Sequence, residues 1–255
     1  MKTPISAFLI TCNEQAHIRE ALEALVEFDE VIVVDSGSED DTVAIAKECG
    51  AKVYHQPWLG FAKQKNYAMS LCRNDWVINV DGDEILSAEC VSEVQSIVDS
   101  GNYDAIRMYF EDEFWGAPMH PKSKKRSITR IFKRSQAQFP LHRKVHENIQ
   151  LPSGARLAHL SNLVYHYGYN STEFYMYKQN CYSGLKASEK FEASATPSIA
   201  KLLLVFPLTF IKMYVLKKSY KSGVRGFVHS MINAMYSFLK EAKLFELTYR
   251  NNRKS

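Results

Sequence analysis

The chain has 255 residues, of which 46% are apolar, with 14 Phe, 14 Tyr and a formal net charge of +4. A chain of this length and composition can bury a sizeable core, which excludes an intrinsically disordered protein. Its five cysteines form no CxxC pair, and the odd count argues against a disulfide framework. The N-terminus lacks the long apolar run and the cleavage site of a signal peptide, so we expect a cytoplasmic protein.

The N-terminal part of the chain alternates between predicted strands and predicted helices. Short apolar or β-branched runs predict strands over residues 5–10, 30–34, 51–55 and 76–80. Apolar residues at helical spacing predict helices over residues 14–28, 40–49 and 61–72, and Ser87 is placed to cap a fourth. Strands that alternate with helices of this length are typical of βαβ units. We therefore predict an α/β fold with a mostly parallel sheet and helices on both faces.

The pattern loosens after about residue 100. Two further strands are predicted over residues 104–110 and 127–133. The composition shifts at SATPS, residues 194–198, and the rest of the chain is apolar, basic and helical in pattern. This shift predicts a first domain over residues 1–195 and a second, helical region over residues 196–255.

Basic residues are concentrated in two parts of the chain. Nine Lys or Arg and no acid lie between Pro121 and His146. Residues 199–255 contain eleven Lys or Arg against two Glu. This asymmetry favours a phosphate-rich partner or an anionic membrane, and we predict no nucleic-acid partner.

Polar residues follow three of the predicted strands at the point where each strand ends. Residues 11–14 (TCNE) follow the first strand, Asp35 ends the second, and residues 81–84 (DGDE) follow the strand over 76–80. In an open parallel sheet, ligands bind at the carboxyl ends of the strands. Asp81 and Asp83 suit a hard cation, Mg²⁺ or Mn²⁺, that holds a diphosphate. The alternative is a solvated turn whose acids favour the dipole of the following helix.

Four segments carry a resemblance to a known family, namely FLITCNE, EVIVVDSGSEDDT, GFAKQKNYA and WVINVDGDE. In order and spacing they resemble family 2 glycosyltransferases, which have the GT-A fold. The resemblance covers residues 4–100 and extends more weakly to about residue 185. It implies an inverting glycosyltransferase that uses a UDP-sugar and a divalent cation.

The resemblance also implies a nucleotide-sugar site, whose positions in this sequence are Thr11, Asn13, Glu14, Asp35, Lys65, Asp81 and Asp83. The first three match the family's first nucleotide-binding loop, and Asp35 matches the acid that hydrogen-bonds the uracil. Lys65 matches a basic position near the nucleotide. Asp81 resembles the residue that contacts the ribose, and Asp83 the one that coordinates the metal on the diphosphate. From the residues alone, Asn13 or Glu14 would equally suit a helix cap, and Lys65 a solvated helix face.

Sugar transfer also needs a base that deprotonates the acceptor hydroxyl. Glu147, in LHRKVHENI, is the first acid after the long basic stretch, and its basic neighbours favour the ionised carboxylate. A His-Glu pair at this distance after the acidic turn also resembles the base motif of the family's lipopolysaccharide-core branch. We therefore predict that Glu147 is the catalytic base. Asp112 and Glu113 are the next candidates for this role. The alternative for Glu147 is a surface salt bridge. By resemblance to related GT-A enzymes, His166 is a further metal ligand, the alternative being a core residue.

The C-terminal region begins with an apolar segment over residues 199–216, which Lys201, Pro207 and Lys212 interrupt. Its longest uncharged stretch, residues 202–211, has ten residues and is short for a membrane span. Apolar faces bordered by Lys and Arg suit an interfacial helix on anionic lipid. We predict a peripheral location on the inner face of the cytoplasmic membrane. The alternatives are a helical subdomain that packs on the core and a transmembrane anchor.

The order of the motifs and the basic, aromatic tail resemble bacterial lipopolysaccharide-core β-1,4-glucosyltransferases. That resemblance implies UDP-glucose as donor and an inner-core heptose of lipopolysaccharide, or another lipid-linked glycan, as acceptor. Basic residues 122–144 would suit a phosphorylated or Kdo-bearing acceptor. One alternative is a catalytically silent sugar- or membrane-binding protein on the same fold, against which Glu147 and Asp83 argue. A phosphatase with an aspartate nucleophile is discounted, because its motif follows the first strand and contains a Thr that this sequence lacks.

Overall fold

The run ISAFLIT forms β1 (Ile5–Thr11), a central strand of the computed structural model. Its side chains alternate between two apolar clusters, because successive residues of a strand point to opposite faces of the sheet. Ile5, Ala7 and Leu9 lie in one cluster, and Phe8 lies in the other. A hydrophobic core therefore covers each face of the sheet.

Seven further strands join β1 among the residues that the structure describes. They are β2 (Glu30–Asp35), β3 (Lys52–His55), β4 (Trp76–Asn79), β5 (Glu84–Ile85), β6 (Ala105–Phe114), β7 (Arg126–Lys133) and β8 (Leu157–Tyr169). They form one sheet in the order β3-β2-β1-β4-β7-β6-β8-β5.

This sheet is mixed. Strands β3, β2, β1 and β4 are parallel, whereas β7 runs antiparallel to β4, β6 antiparallel to β7, and β5 antiparallel to β8. The predicted α/β fold is confirmed, but the parallel part ends at β4. The reason is that β6 and β7 are joined without a crossover helix, and only antiparallel strands can be joined that way.

Helices lie on both faces of the sheet, as predicted. In the described part of the first hundred residues they are α1 (Ile18–Glu23), α2 (Thr42–Glu48), α3 (Phe61–Ser70) and α4 (Ala88–Asp99). Apolar residues of α1, α2 and α4 join the cluster of Leu9, and those of α3 join the cluster of Phe8. The Ser87 hydroxyl accepts a hydrogen bond from the Cys90 N–H at 3.2 Å and so caps α4. The helix α1 is shorter than the predicted span, 14–28, because the chain forms turns on either side of it.

The structure describes residues 2–144 and 148–253, and these divide into two units. The first unit comprises residues 2–111, 125–141 and 148–167, and the second comprises residues 112–124, 142–144 and 168–253. This division differs from the domain boundary predicted near residue 195. The second unit already includes the helix that precedes that boundary, because this helix packs along the last helix of the chain.

The second unit is helical, as the sequence predicts for the C-terminal region. Its elements are α5 (Thr172–Glu192), α6 (Ile199–Ile211), a π-helical turn (Lys212–Leu216), a 3-10 turn (Ser219–Ser222) and α7 (Gly223–Asn252). The helix α7 packs against both α5 and α6. A Cβ at Gly226 would lie 1.7 Å from the carbonyl oxygen of Ser219, so only glycine fits at this approach. In the described part of the chain, one helical stretch, Ile199–Leu216, could cross a membrane by its length and composition alone, and none of it is buried.

Candidate functional site

The carboxyl ends of β1, β2 and β4 bring the predicted site residues together. Thr11 and Asp35 pair in register at the ends of β1 and β2. Phe8 of β1 pairs with Asn79, the last residue of β4. The acidic turn, residues 81–84, follows β4 directly and therefore lies at the same edge of the sheet. This is the edge at which parallel sheets bind ligands.

The Asp35 carboxylate organises the turn that follows β2. Its Oδ2 accepts hydrogen bonds from the backbone N–H groups of Gly37 at 2.8 Å and Ser38 at 2.9 Å. Its Oδ1 accepts bonds from the Ser38 hydroxyl and, at 3.4 Å, from the Thr11 hydroxyl. Asp35 is only 3% exposed, and Gly37 has a φ of +109°, which favours glycine. The acid therefore fixes the turn geometry, whatever ligand it also binds.

The loop after β1 is tied to the loop after β2. The Asn13 N–H donates to the Ser38 hydroxyl at 2.9 Å, and the Asn13 side-chain oxygen accepts from the Glu39 N–H at 2.8 Å. The Glu14 N–H donates to the Thr42 hydroxyl at 2.8 Å. The alternative that Asn13 or Glu14 caps α1 is wrong, since the N-cap of α1 is residue 17. Asn13 and Glu14 instead hold the predicted nucleotide-binding loop in place.

The acidic turn binds an arginine that the sequence analysis did not single out. Arg130 of β7 is 5% exposed, and its guanidinium bonds to Asn79 Oδ1 at 2.7 Å, to Asp81 Oδ2 at 2.5 Å and to Glu84 Oε1 at 2.7 Å. Glu84 is fully buried, and its Oε2 accepts from the Asp81 N–H at 3.1 Å. The alternative of a fully solvated turn is therefore wrong for Glu84.

Lys65 supplies a second positive charge to the same turn. It is 5% exposed, and its Nζ lies 3.5 Å from Asp81 Oδ1. The alternative that Lys65 lies on a solvated helix face is wrong. Both oxygens of Asp81 thus face a cation of the chain itself.

Burial and charge act in opposite directions on these groups. Burial would raise the pKa of Asp81, but the charges of Arg130 and Lys65 outweigh it and hold the pKa well below its usual range. Burial raises the pKa of Glu84, and the Asp81 charge adds to this, although Arg130 opposes it. Burial would lower the pKa of Arg130, but Asp81 and Glu84 raise it, so Arg130 remains charged.

Arg130→Met is expected to destabilise the protein by roughly 3–5 kcal/mol, because it leaves the Asp81 and Glu84 carboxylates without their shared cation. Urea denaturation measures the loss. Arg134→Met is the matched control, since Arg134 makes no ion pair with a described residue, and we expect a change of about 0.5 kcal/mol or less. Equal effects of the two substitutions would contradict the role of Arg130.

Asp83 and His166 meet at the end of the acidic turn. Asp83 Oδ2 lies 3.6 Å from His166 Nε2, and each side chain is mostly buried. The backbone fixes this approach, because Glu84 pairs with His166 between β5 and β8 and the Tyr167 N–H donates to the Asp83 carbonyl oxygen at 2.9 Å. A carboxylate and an imidazole this close are chemically suited to a shared divalent cation. Among the described residues, no group of three or more His, Cys, Asp or Glu could hold a metal.

The basic stretch between Pro121 and His146 is mostly paired with acids. Six of its side chains form ion pairs with described acids, namely Lys125, Arg126, Arg130, Lys133, Arg143 and Lys144. The predicted cationic surface for an anionic acceptor is therefore much smaller than the sequence suggests. Lys122 and Lys124 make no ion pair with a residue in the part of the chain that the structure describes.

Glu147, the predicted catalytic base, lies outside the described residues. Two of its basic neighbours bind an acid in α5: Arg143 Nη1 lies 3.2 Å from Glu189 Oε1, and the Lys144 N–H donates to Glu189 Oε2 at 3.2 Å. The next candidates, residues 112 and 113, belong to the second unit. The catalytic base therefore stays a prediction from the sequence.

Comparison with known sequences finds related proteins along almost the whole chain. The family model for Glycosyl transferase family 2 matches residues 6–159. A protein of Rickettsia felis, named an uncharacterized glycosyltransferase, is 38% identical over 256 residues, covering 95% of this chain and 89% of that protein. The lipopolysaccharide core biosynthesis glycosyltransferase LpsC of Rhizobium meliloti is 31% identical over 256 residues, covering 96% of this chain and 93% of LpsC.

Among solved structures, residues 1–349 of S. aureus TarS in complex with UDP-GlcNAc are similar to this chain. The TM-score is 0.54 at 16% sequence identity, with 98% of this chain and 92% of the TarS chain covered. At this identity the likeness bears on the fold alone. It agrees with the predicted GT-A-like arrangement of a sheet between helices.

Proposed function

Since the chain belongs to glycosyl transferase family 2, we propose that it moves a hexose from a UDP-sugar to an acceptor hydroxyl with inversion at the anomeric carbon. The observation that carries the proposal is the convergence of Asp35, Asp81 and Asp83 at one edge of the parallel strands. A nucleoside diphosphate sugar presents a base, a ribose and a diphosphate in that order. Asp35 at the end of β2, and Asp81 and Asp83 in the turn after β4, suit this order of groups.

Asp35 would accept a hydrogen bond from the uracil ring. The oxygen that can accept this further hydrogen bond is Oδ1. One of its two existing hydrogen bonds, from the Thr11 hydroxyl, is long at 3.4 Å. Asn13 and Glu14 would form the adjoining wall of the pocket through the bonded loop they belong to. Asp81 would contact the ribose, and the buried ammonium of Lys65 would favour the negative diphosphate nearby.

Asp83 and His166 would hold a divalent cation, Mg²⁺ or Mn²⁺. Their Oδ2 and Nε2 atoms lie 3.6 Å apart, and such cations take few protein ligands when substrate phosphates complete the shell. When bound, the cation would neutralise charge that develops on the leaving diphosphate. Glu147 would take the proton of the acceptor hydroxyl.

For the acceptor, we propose an inner-core heptose of lipopolysaccharide, with UDP-glucose as donor, at the inner face of the cytoplasmic membrane. The name of the relative LpsC supports a role in the lipopolysaccharide core. Lys122 and Lys124, which pair with no acid among the described residues, would favour a phosphorylated acceptor. A different glycan or lipid-linked acceptor is the rival within the same reaction class.

Mass spectrometry of lipopolysaccharide tests the proposal. Cells that lack this protein should make a core shorter by one hexose, and purified protein with UDP-glucose should restore that hexose to the shortened core. UDP-galactose and UDP-GlcNAc serve as competing donors. An unchanged core mass in the deletion strain would exclude lipopolysaccharide as the acceptor.

Asp35→Ala is expected to weaken UDP binding by roughly one to two decades, because a hydrogen bond to a charged group contributes about 1.5–3 kcal/mol. Calorimetry with UDP alone measures the affinity. The substitution also removes the bonds that shape the turn. Ser38→Ala is therefore the control: it loses the bond to Asp35 and the bond from the Asn13 N–H, but it keeps the Asp35 carboxylate. Similar losses for both variants would mean that Asp35 acts through the turn and not on the base.

A further inference from the structure

The helix α6 and the π-helical turn after it pack on one side only. Phe210 packs edge-on against Phe227 of α7, with ring centroids 5.6 Å apart. The other side exposes leucines, among them Leu204 at 54% and Leu208 at 61%. No part of Ile199–Leu216 is buried in the described structure. An apolar helix face of this extent is a contact surface for a partner.

Three lysines converge on one buried acid at the start of this helix. Glu241 of α7 is 2% exposed, and its Oε2 lies 2.6 Å from the Nζ of Lys190 in α5. Lys201 of α6 and Lys240 of α7 each lie 3.7 Å from Glu241 Oε1. That distance is too long for a hydrogen bond, so these two ammonium groups keep their donors for another acceptor. We call Lys190, Lys201 and Lys240 the lysine cluster.

The lysine cluster has more positive charge than its acid can balance. Three ammonium groups share one carboxylate, and Glu241 Oε1 has no hydrogen-bond partner among the described residues. Burial lowers the pKa of Lys240, and the charges of Lys190 and Lys201 lower it further, although Glu241 opposes them. An anion with several acceptor oxygens, such as a phosphate group, would relieve this repulsion.

One lysine of the cluster, Lys201, lies on the same side of α6 as the exposed leucines. Lys201, Leu204, Leu208 and Lys212 line one groove along α6. Lys201 and Lys212 therefore flank the exposed leucines on this face of the helix. Further lysines follow Lys212 in the sequence. Phosphate groups above acyl chains are the chemistry that matches this pattern.

We propose that the apolar face of α6 and the lysine cluster form a docking surface for an anionic phospholipid bilayer. The lysines bind headgroup phosphates, while Leu204 and Leu208 enter the acyl region. This inference deepens the proposed membrane location by naming the surface. It does not depend on sugar transfer.

The helix lies in the plane of the bilayer surface and does not span it. The uncharged stretch of ten residues, 202–211, is roughly 15 Å long in a helix, about half of the hydrocarbon thickness. Lys201 and Lys212 flank this stretch on one face. Both ammonium groups can reach the same headgroup layer only when the helix axis is parallel to the membrane.

Flotation of the full chain with lipid vesicles tests the surface. We expect binding to vesicles of phosphatidylcholine with phosphatidylglycerol and little binding to phosphatidylcholine alone. The double variant Lys201→Gln/Lys240→Gln should bind these vesicles roughly thirtyfold more weakly. The reason is that each lysine near an anionic surface increases the affinity by about fivefold. The double variant Leu204→Glu/Leu208→Glu should lose about fiftyfold or more in vesicle affinity.

The matched control for these variants is Lys47→Gln/Lys63→Gln. It changes two exposed lysines of the first unit and should bind vesicles as the wild type does.

Three results would overturn the proposal: equal binding to the two kinds of vesicle, equal loss in the control, or retention in cell membranes after alkaline carbonate extraction. The last would show a spanning helix. Because flotation measures no sugar transfer, an inactive enzyme that still binds vesicles leaves this inference standing. If the enzyme transfers sugar but does not bind the vesicles, the proposed docking surface is refuted and the proposed function is not.

Discussion

Asp83→Ala is expected to abolish both sugar transfer and UDP-sugar hydrolysis while the protein stays folded. In the proposed site, the carboxylate of Asp83 would be the ligand for a divalent cation, since both oxygens of Asp81 face Arg130 or Lys65. Without the cation, the charge that develops on the leaving diphosphate would not be neutralised. Little stability is lost, because the 3.6 Å between Asp83 and His166 is too long for a hydrogen bond.

The measurement is the release of UDP from the donor, with the thermal unfolding midpoint recorded beside it. EDTA should inactivate the wild type in the same way, and added Mn²⁺ or Mg²⁺ should restore it. Glu89→Ala, which removes an exposed acid at the start of α4, is the control and should keep full activity. Full activity of the wild type in EDTA would refute the metal site.

Glu147→Gln is expected to lower the transfer rate by roughly 10²–10⁴-fold, the usual contribution of a positioned base. Glutamine keeps the size and the hydrogen-bonding shape of the side chain but cannot take the proton. Affinities for UDP and for the metal should stay near wild type. The acidic limb of the pH profile should also disappear, because in the proposed mechanism that limb would report the protonation of this carboxylate.

Steady-state rates across a pH series, with calorimetry for UDP, separate these effects. Asp112→Asn and Glu113→Gln are the comparison variants, and they should transfer sugar at close to the wild-type rate. If Glu147→Gln transfers sugar as fast as wild type, and either Asp112→Asn or Glu113→Gln is slow, Glu147 is not the base. The residue changed in the slow variant is then the candidate base.

The strand ends of the candidate site follow from local sequence. Asp35 and the acidic turn each come directly after a β-branched run, and parallel strands necessarily bring such ends to one edge. The Ser87 cap is equally local, because its partner Cys90 is three residues away. Predictions of this kind need only neighbouring residues, and the structure confirms the strands and the cap.

The partners of the acidic turn could not be predicted in this way. Arg130 bonds to residues 49 and 46 positions earlier, Asp81 and Glu84, and the link depends on β7 pairing antiparallel with β4. From the sequence, Arg130 is therefore predicted only as one of the basic residues of a surface. Its one local signal is a charged residue within the β-strand-like run ITRIF.

The separation between Arg130 and the acidic turn also sets an order of assembly. The turn around Asp35 closes through partners two and three residues away, so it can form as soon as β2 has been synthesised. Asp81 and Glu84 must wait for Arg130, which leaves the ribosome 49 residues after Asp81. Until then, burying both carboxylates would be opposed by their desolvation. The acidic turn is thus completed later than the turn around Asp35, however early the parallel strands collapse.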